Sequence, residues 1–297
     1  MKILNFGSLN LDYVYQMDHF VRAGETLSSC GYAMYLGGKG LNQSIALARS
    51  GAEVYHAGVI GDNGQPLADA LSQAGVHTEY LRQGTGPNGH AIIQVNPQGE
   101  NCILLYGGSN QQITRAQIDE TLSHFSAGDI LLLQNEINEI PYIIESAHSI
   151  GMLIALNPAP WAPHLHEWPL EHIRYFIVNE IEGAALADVP ENTPPHAIAD
   201  AIRLRYPDCA VVLTLGGDGV LYDDGTQRLS HPIFKVPVVD TTAAGDTFTG
   251  YFLSSLCRVL SAAEALRIAS KASSIAVSRA GASPSIPTLK EVLDGLQ

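Results

Sequence analysis

Short apolar runs alternate with amphipathic stretches along most of this chain. Ile3 to Phe6 is a compact apolar run that stops at Gly7-Ser8, the mark of a short buried strand. Leu41 to Ser50 carries Ala and Leu on one face and stops at Gly51, which predicts a helix. Val54 to Val59 predicts the next strand, and Leu67 to Ala74 a helix closed by Gly75. Farther on, Ile130 to Leu133, Leu153 to Leu156, Tyr175 to Val178 and Val211 to Leu215 predict strands. Helices are expected between them, over Ile140 to Ile150 and Ile198 to Tyr206. Strands and helices in this order predict an α/β fold, a mainly parallel sheet covered by helices.

Two stretches break that rhythm. Gly24 to Leu36 lacks helical periodicity and predicts exposed strands. His90 to Val95 and Asn101 to Leu105 flank a Pro- and Gly-containing turn at 96–100, which predicts a hairpin. Together they are expected to form a small separate sheet over one edge of a single domain, residues 1–297. Gly216 to Val239 is read as β-rich, with a turn at Gly216-Gly217-Asp218-Gly219 and a strand over Val236 to Val239. From Thr247 onward the pattern is helical.

Composition acts mainly by exclusion. With 46% hydrophobic and 15% charged residues over 297 positions, the chain is globular and long enough to bury a substantial core. A net charge of −14 argues against a nucleic-acid partner, which needs clustered Lys and Arg. It leaves room for a small anion held by backbone N–H groups at a helix start. Cys30, Cys102, Cys209 and Cys257 are scattered, without a C-x-x-C pair, and predict isolated thiols in a reducing compartment. The apolar N-terminal stretch is too short for a secretory leader, and no run is long enough to span a membrane. A cytoplasmic protein without a membrane partner is expected.

Three segments could carry chemistry. Asp240 to Phe248, DTTAAGDTF, leads into a helix. Small residues at 243–245 let a ligand approach the backbone, and the first-turn N–H groups favour negative charge. Asp246 beside them could take a proton from an attacking hydroxyl, or simply stabilise the helix start. Gly37-Gly38-Lys39-Gly40-Leu41-Asn42-Gln43 precedes another helix. It lacks the spacing of a P-loop and reads either as a glycine turn offering Lys39 and Asn42 to a polar ligand or as an ordinary strand-to-helix turn. Gly7 to Asp12 follows the first strand, where open parallel sheets bind ligands. Asn10 and Asp12 alternate with Leu9 and Leu11 and so leave on one face, suited to sugar hydroxyls or to a plain turn. No metalloprotease, serine-hydrolase or dinucleotide motif is present.

In order and spacing these segments resemble the ribokinase-type (PfkB) carbohydrate kinase family along nearly the whole chain. Gly37 to Ser44 resembles its N-terminal signature and Asp240 to Gly250 its C-terminal one. Gln134-Asn135-Glu136, Asn157 to Pro160, Asn179-Glu180-Ile181-Glu182 and Thr214 to Gly219 lie where the family has similar runs. The resemblance implies a three-layer α/β/α domain with a β-sheet lid, about residues 12–36 and 89–107, which often serves as a dimer interface. It implies transfer of the ATP γ-phosphate to the primary hydroxyl of a sugar, most simply ribose. Asp246 would be the base, with the N–H groups of Ala243, Ala244, Gly245 and Asp246 as the anion hole. Asn10, Asp12, Gly38, Lys39, Asn42 and Glu136 would hold the sugar. Asn179, Thr214, Gly216 and Gly219 would line the nucleotide site. Glu182 would organise Mg²⁺, directly or through water. Asp240, Thr242, Val277, Ala280 and Ser285 would form a monovalent-cation site, for K⁺. The sequence departs from the family at Leu9 and Leu11, at Tyr251 after Gly250, and at Ser29 to Tyr32. Deoxyribose, another sugar or a nucleoside as substrate, and a non-catalytic sensing module, stand as alternatives.

Overall fold

The structure, a computed structural model, describes residues 1–297. Its strands are β1 (Ile3–Phe6), β2 (Asn10–Gln16), β3 (Gly31–Gly37), β4 (Val54–Ile60), β5 (His77–Gln83), β6 (Gly89–Val95), β7 (Asn101–Tyr106), β8 (Ile130–Gln134), β9 (Leu153–Asn157), β10 (Ile173–Asn179), β11 (Ala210–Thr214), β12 (Val220–Asp223) and β13 (Arg228–His231). Its α-helices are α1 (Lys39–Arg49), α2 (Gln65–Gln73), α3 (Arg115–Leu122), α4 (Ile140–Ile150), α5 (Glu180–Ala187), α6 (Pro195–Arg205), α7 (Ala244–Cys257), α8 (Ala262–Val277) and α9 (Leu289–Asp294).

Nine strands form one sheet in the order β13-β12-β11-β10-β9-β8-β1-β4-β5. From β5 across to β11 every pairing is parallel, and β12 and β13 turn antiparallel at the edge. Alternate residues of the central strands enter two separate cores. Ile130, Leu132, Ala155 and Ile177 pack under α1, α2, α7 and α8. Leu131, Leu133, Ile154 and Phe176 pack under α3, α4, α5 and α6. Burial on both faces is why these strands read as unbroken apolar runs. The chain leaves β1 for β4 and β5 on one side, then returns to β8 on the other. The strand order therefore reverses between β1 and β8, and the crevice at their carboxyl ends is where such sheets bind ligands.

The second sheet has the order β3-β2-β6-β7, with β2 and β6 parallel and the outer pairs antiparallel. It takes β6 and β7 from the expected hairpin and β3 from the first stretch, of which only Gly31–Gly37 is a strand. Its partner β2 begins at Asn10, and 24–29 is irregular. Leu9 and Leu11, the departures beside Asn10, are buried in the core under α1, on the opposite face from Asp12.

The strand expected over Val236 to Val239 is absent. Pro232 and Pro237 lack the N–H that a ladder needs, and the Val239 N–H bonds instead to the Val277 carbonyl at 2.8 Å. Three elements went unpredicted. β5 is a polar edge strand, and α3 and α5 are eight residues each, too short for a clear apolar period. α5 starts on a reciprocal capping box between Asn179 and Glu182.

Tyr251 is fully buried, and its hydroxyl donates to the Pro287 carbonyl at 2.7 Å, so the bulky residue ties α7 to the segment before α9. Gly250 lets α7 cross α1 closely; a Cβ there would lie 2.5 Å from Ala46 Cβ and 2.8 Å from the Leu47 nitrogen. Gly250→Val is expected to destabilise the fold by about 1–3 kcal/mol through overpacking, read from the urea midpoint at constant m-value. An unchanged midpoint would show that the helices can part without cost.

Candidate active site

Several strands on the α1/α7 side change from apolar to polar at their last residue. Leu132 is followed two positions on by Gln134, Ala155 by Asn157, Ile177 by Asn179 and Val212 by Thr214. Two-residue periodicity puts each of these on the face of the core below it. Register aligns Gln134 with Asn157 and Asn179 with Thr214, so the polar ends form one row.

Two helices start over that row. α1 is drawn down onto the end of β1 by its glycines. A Cβ on Gly40 would lie 2.4 Å from the Ser8 nitrogen, and Gly38, at φ 95°, would place one 2.9 Å from the Asn10 nitrogen. These glycines therefore serve close backbone approach within the protein, and Asn42 is buried rather than displayed. α7 begins after Ala243, whose φ of 59° is left-handed. The N–H of Ala244 bonds to the Thr241 carbonyl at 3.2 Å, while those of Ala243, Gly245 and Asp246 have no acceptor in the protein.

Asp246, 8% exposed, lies where the two helix starts meet. Asn42 Nδ2 donates to its Oδ2 at 3.0 Å and Gln43 Nε2 to its Oδ1 at 2.8 Å. Asn42 Oδ1 is buried without a protein partner. Burial works against the charge of Lys39, but Asp246, Glu136 and Glu182 outweigh it and hold its pKa above the ordinary lysine value. Glu136 accepts from the Ser8 hydroxyl and from the Lys39 backbone N–H at 3.1 Å. Burial nevertheless pushes the Glu136 carboxyl up, and does the same to Glu182. Asp12 is pushed up to about 7 by burial and by the neighbouring Glu136 charge.

From this junction a cleft of about 560 Å³ runs along the carboxyl ends of the sheet. It brings together Lys39, Asn179, Glu182, Thr214, Gly216, Gly219 and the 243–246 turn. Asn10, Asp12, Gly38 and Glu136 do not line it: Asn10 and Asp12 are on β2, Gly38 precedes α1 and Glu136 follows β8. Asp240 and Thr242 stand apart in a loop. Asp240 Oδ1 accepts from the Thr242 N–H and hydroxyl, and its Oδ2 from the Gly281 N–H at 2.9 Å. The Val277 carbonyl accepts the N–H groups of Val239 and Asp240, and the Ser285 hydroxyl donates to the Ala282 carbonyl.

Sequence reasoning missed the apolar wall of the cleft, Ile233, Phe234, Val236 and Val238 opposite Val277. Its signal was present as an apolar run interrupted by prolines, which reads as an exposed lining rather than a strand. It also gave no role to Gln43, the second donor to Asp246.

A family profile described as pfkB family carbohydrate kinase matches residues 1–289. A ribokinase of Bacillus subtilis is 36% identical over 290 residues, covering 96% of each chain. The structure of a Cryptococcus neoformans ribokinase in complex with ADP superposes with a TM-score of 0.87 at 33% identity, covering 99% of each chain. An Arabidopsis thaliana ribokinase complexed with ribose and ATP superposes with a TM-score of 0.87 at 29% identity, covering 100% of this chain and 98% of that one.

Proposed function

Because this chain belongs to the pfkB family of carbohydrate kinases, phosphotransferases that act on an alcohol group, we propose that it transfers the γ-phosphate of ATP to the primary hydroxyl of ribose. The observation that carries the reading is the Asp246 carboxylate. It is gripped by Asn42 and Gln43 at a helix start and lines the long cleft beside Lys39.

The cleft suits ATP. Its apolar wall would take the base, Thr214, Gly216 and Gly219 would line the nucleotide, and the acceptor-free N–H groups of Ala243, Gly245 and Asp246, with that of Ala244 beside them, would face the γ-phosphoryl oxygens. Asn10, Asp12, Gly38, Lys39, Asn42 and Glu136 would hold the sugar. Asp246 takes the hydroxyl proton as that oxygen bonds to the γ-phosphorus and the bond to the ADP oxygen breaks. Lys39 offsets charge on the transferring group. The second sheet would act as a lid that excludes water.

Glu182 fits Mg²⁺, as a partly buried carboxylate that lines the cleft and whose pKa is raised by burial. When bound, the ion would neutralise phosphate oxygens, with Asn179 fixing the Glu182 side chain through the capping box. For K⁺, Asp240, Thr242, Ala280 and Ser285 offer oxygens of the hard type such a cation takes, on two loops that the bond from the Gly281 N–H to Asp240 Oδ2 ties together. Val277 fits less well, since its carbonyl already accepts two N–H groups. The outward residues of the second sheet, among them Tyr32 at 58% and Leu104 at 66% exposed, support a homodimer through the lid. Cytoplasmic residence belongs to the same proposal and suits four free thiols.

ADP release coupled to NADH oxidation, with Mg²⁺ and K⁺ present, tests the substrate across ribose, deoxyribose, other sugars and nucleosides. A rate on ribose that dominates supports the reading. A dominant rate on another compound moves the substrate, and no rate on any would favour a sensing module.

Asp12 adds a pH prediction. Its ionised form accepts hydroxyl protons, and with its carboxyl pushed up to about 7 that form is lost as pH falls through neutrality. KM for the sugar should rise about tenfold per pH unit below that point, and Asp12→Asn should flatten the dependence. A KM for wild type that is constant from pH 8 to 6 would remove Asp12 from the sugar site.

A further inference from the structure

Behind Asp246, on the side away from the cleft, lies a chain of buried side-chain amides. Asn5, Gln43 and Gln134 are each at most 1% exposed, and none of them lines the cleft. Their orientations are fixed from both ends by backbone carbonyls, which can only accept. At one end the Gly40 carbonyl takes a hydrogen from Asn5 Nδ2 at 2.8 Å, and Ser44 Oγ takes the other at 2.8 Å. Asn5 Oδ1 must then accept, and Gln134 Nε2 donates to it at 2.9 Å. The second hydrogen of Gln134 Nε2 goes to Gln43 Oε1 at 2.7 Å. That turns the Gln43 NH₂ toward Asp246 Oδ1 at 2.8 Å and Asn157 Oδ1 at 3.1 Å. At the other end the Ile177 carbonyl takes Asn157 Nδ2 at 2.9 Å, which leaves Asn157 Oδ1 as an acceptor for the same NH₂. The chain also continues past Asn5. Ser44 Oγ and His56 Nδ1 share a hydrogen bond at 2.8 Å, and burial lowers His56 to about 4, which keeps it neutral.

A flipped Gln43 would set its oxygen against the Asp246 carboxylate and Asn157 Oδ1, and its NH₂ against the NH₂ of Gln134. Every link opposes that flip. Gly7 makes room for the arrangement, since a Cβ there would lie 2.6 Å from Gln134 Oε1. That oxygen is itself buried without a partner, so Gln134 cannot reach a ligand through it.

We propose that Gln134 is a positioning residue for phosphoryl transfer: it sets the donor face of Gln43, which in turn fixes the rotamer of the Asp246 carboxylate toward the acceptor hydroxyl. This rests on Asp246 acting as the base. Gln134 touches neither ATP nor sugar, so its effect falls on kcat and passes through Gln43. A misplaced reacting group of this kind lowers kcat by about 10- to 100-fold.

The test is steady-state kinetics on Gln134→Met, Gln43→Met, the double variant and Asp246→Asn, each checked for folding by circular dichroism. Gln134→Met should lose about 10-fold or more in kcat while KM for ATP and for the sugar stays within about 2-fold. The double variant should be no slower than Gln43→Met, because the two residues act in series. If Gln134→Met does not fold, Gln134→Asn keeps the amide on the strand but withdraws it by one methylene, and the same readings apply. A kcat within about 2-fold of wild type in a folded Gln134 variant, or additive losses in the double variant, overturns the proposal. If Asp246→Asn also turns over normally, the reading of Asp246 fails first and the relay with it. If Asp246→Asn is inactive while the Gln134 variant is not, the relay alone fails.

Discussion

Asp246→Asn is expected to lower kcat by about 10²- to 10⁴-fold, the usual contribution of a positioned general base. The carboxylate already accepts one bond on each oxygen, from Asn42 and from Gln43, and each oxygen keeps a further lone pair for the acceptor hydroxyl. An Asn side chain cannot take that proton. Its NH₂ would also have to face one of two donors, which costs about 1–3 kcal/mol of stability. The variant should therefore melt earlier but remain folded. It should still bind ATP in calorimetry, because the cleft walls and the 243–246 turn are unchanged. A kcat close to wild type would overturn the assignment of the base.

Lys39→Met carries the second large effect. Its ammonium sits among Asp246, Glu136 and Glu182, and the protein supplies no other cation there. Loss of one charged partner at an electrostatically assembled site lowers kcat by about 10²- to 10³-fold. It also leaves like charges facing each other, at a cost of about 3 kcal/mol when the carboxylates are ionised. The pH sign follows from the direction of the shifts. Glu136 and Glu182 have folded pKa values above the ordinary 4.5, so the folded state holds their protons more tightly than the unfolded chain does. Stability then falls as pH rises from 4.5 through those raised values, and loss of the Lys39 charge steepens the fall. Denaturation of Lys39→Met against wild type should show a gap that is wide at pH 8 and narrows toward pH 5. A gap independent of pH would mean that Lys39 acts through its alkyl chain and not its charge.

Much of this was legible along the chain because the causes are local. The apolar runs of β1, β8, β9 and β11 and the helix over Ile140–Ile150 announce themselves by period, which depends on neighbours a few residues away. The helix start at 243–246 was visible as a small-residue signal, whereas Asn179 to Glu182 was visible only as a run resembling the family's and not as the start of α5. The resemblance to carbohydrate kinases joined these pieces into a site. The structure brings Lys39, Asn42, Glu136 and Asp246 near one another. The segment 232–239 misled because β-branched residues suggest a strand, while two prolines deny it the hydrogen bonds of one.

By itself the sequence determined the α/β rhythm, the faces of the buried strands, the polar residue at the end of each and the small-residue start of α7. Each of these follows from local stereochemistry and from the two periods of side-chain direction. Only the tertiary structure decided that β8 returns beside β1, opening the crevice at that switch point. It alone decided that α1 crosses α7 at Gly250, bringing Gln43 to Asp246 across 203 positions of sequence. The reason is physical. Strand order and helix crossing are settled by which distant surfaces bury each other best, and the buried amides then have one consistent way to satisfy their hydrogen bonds.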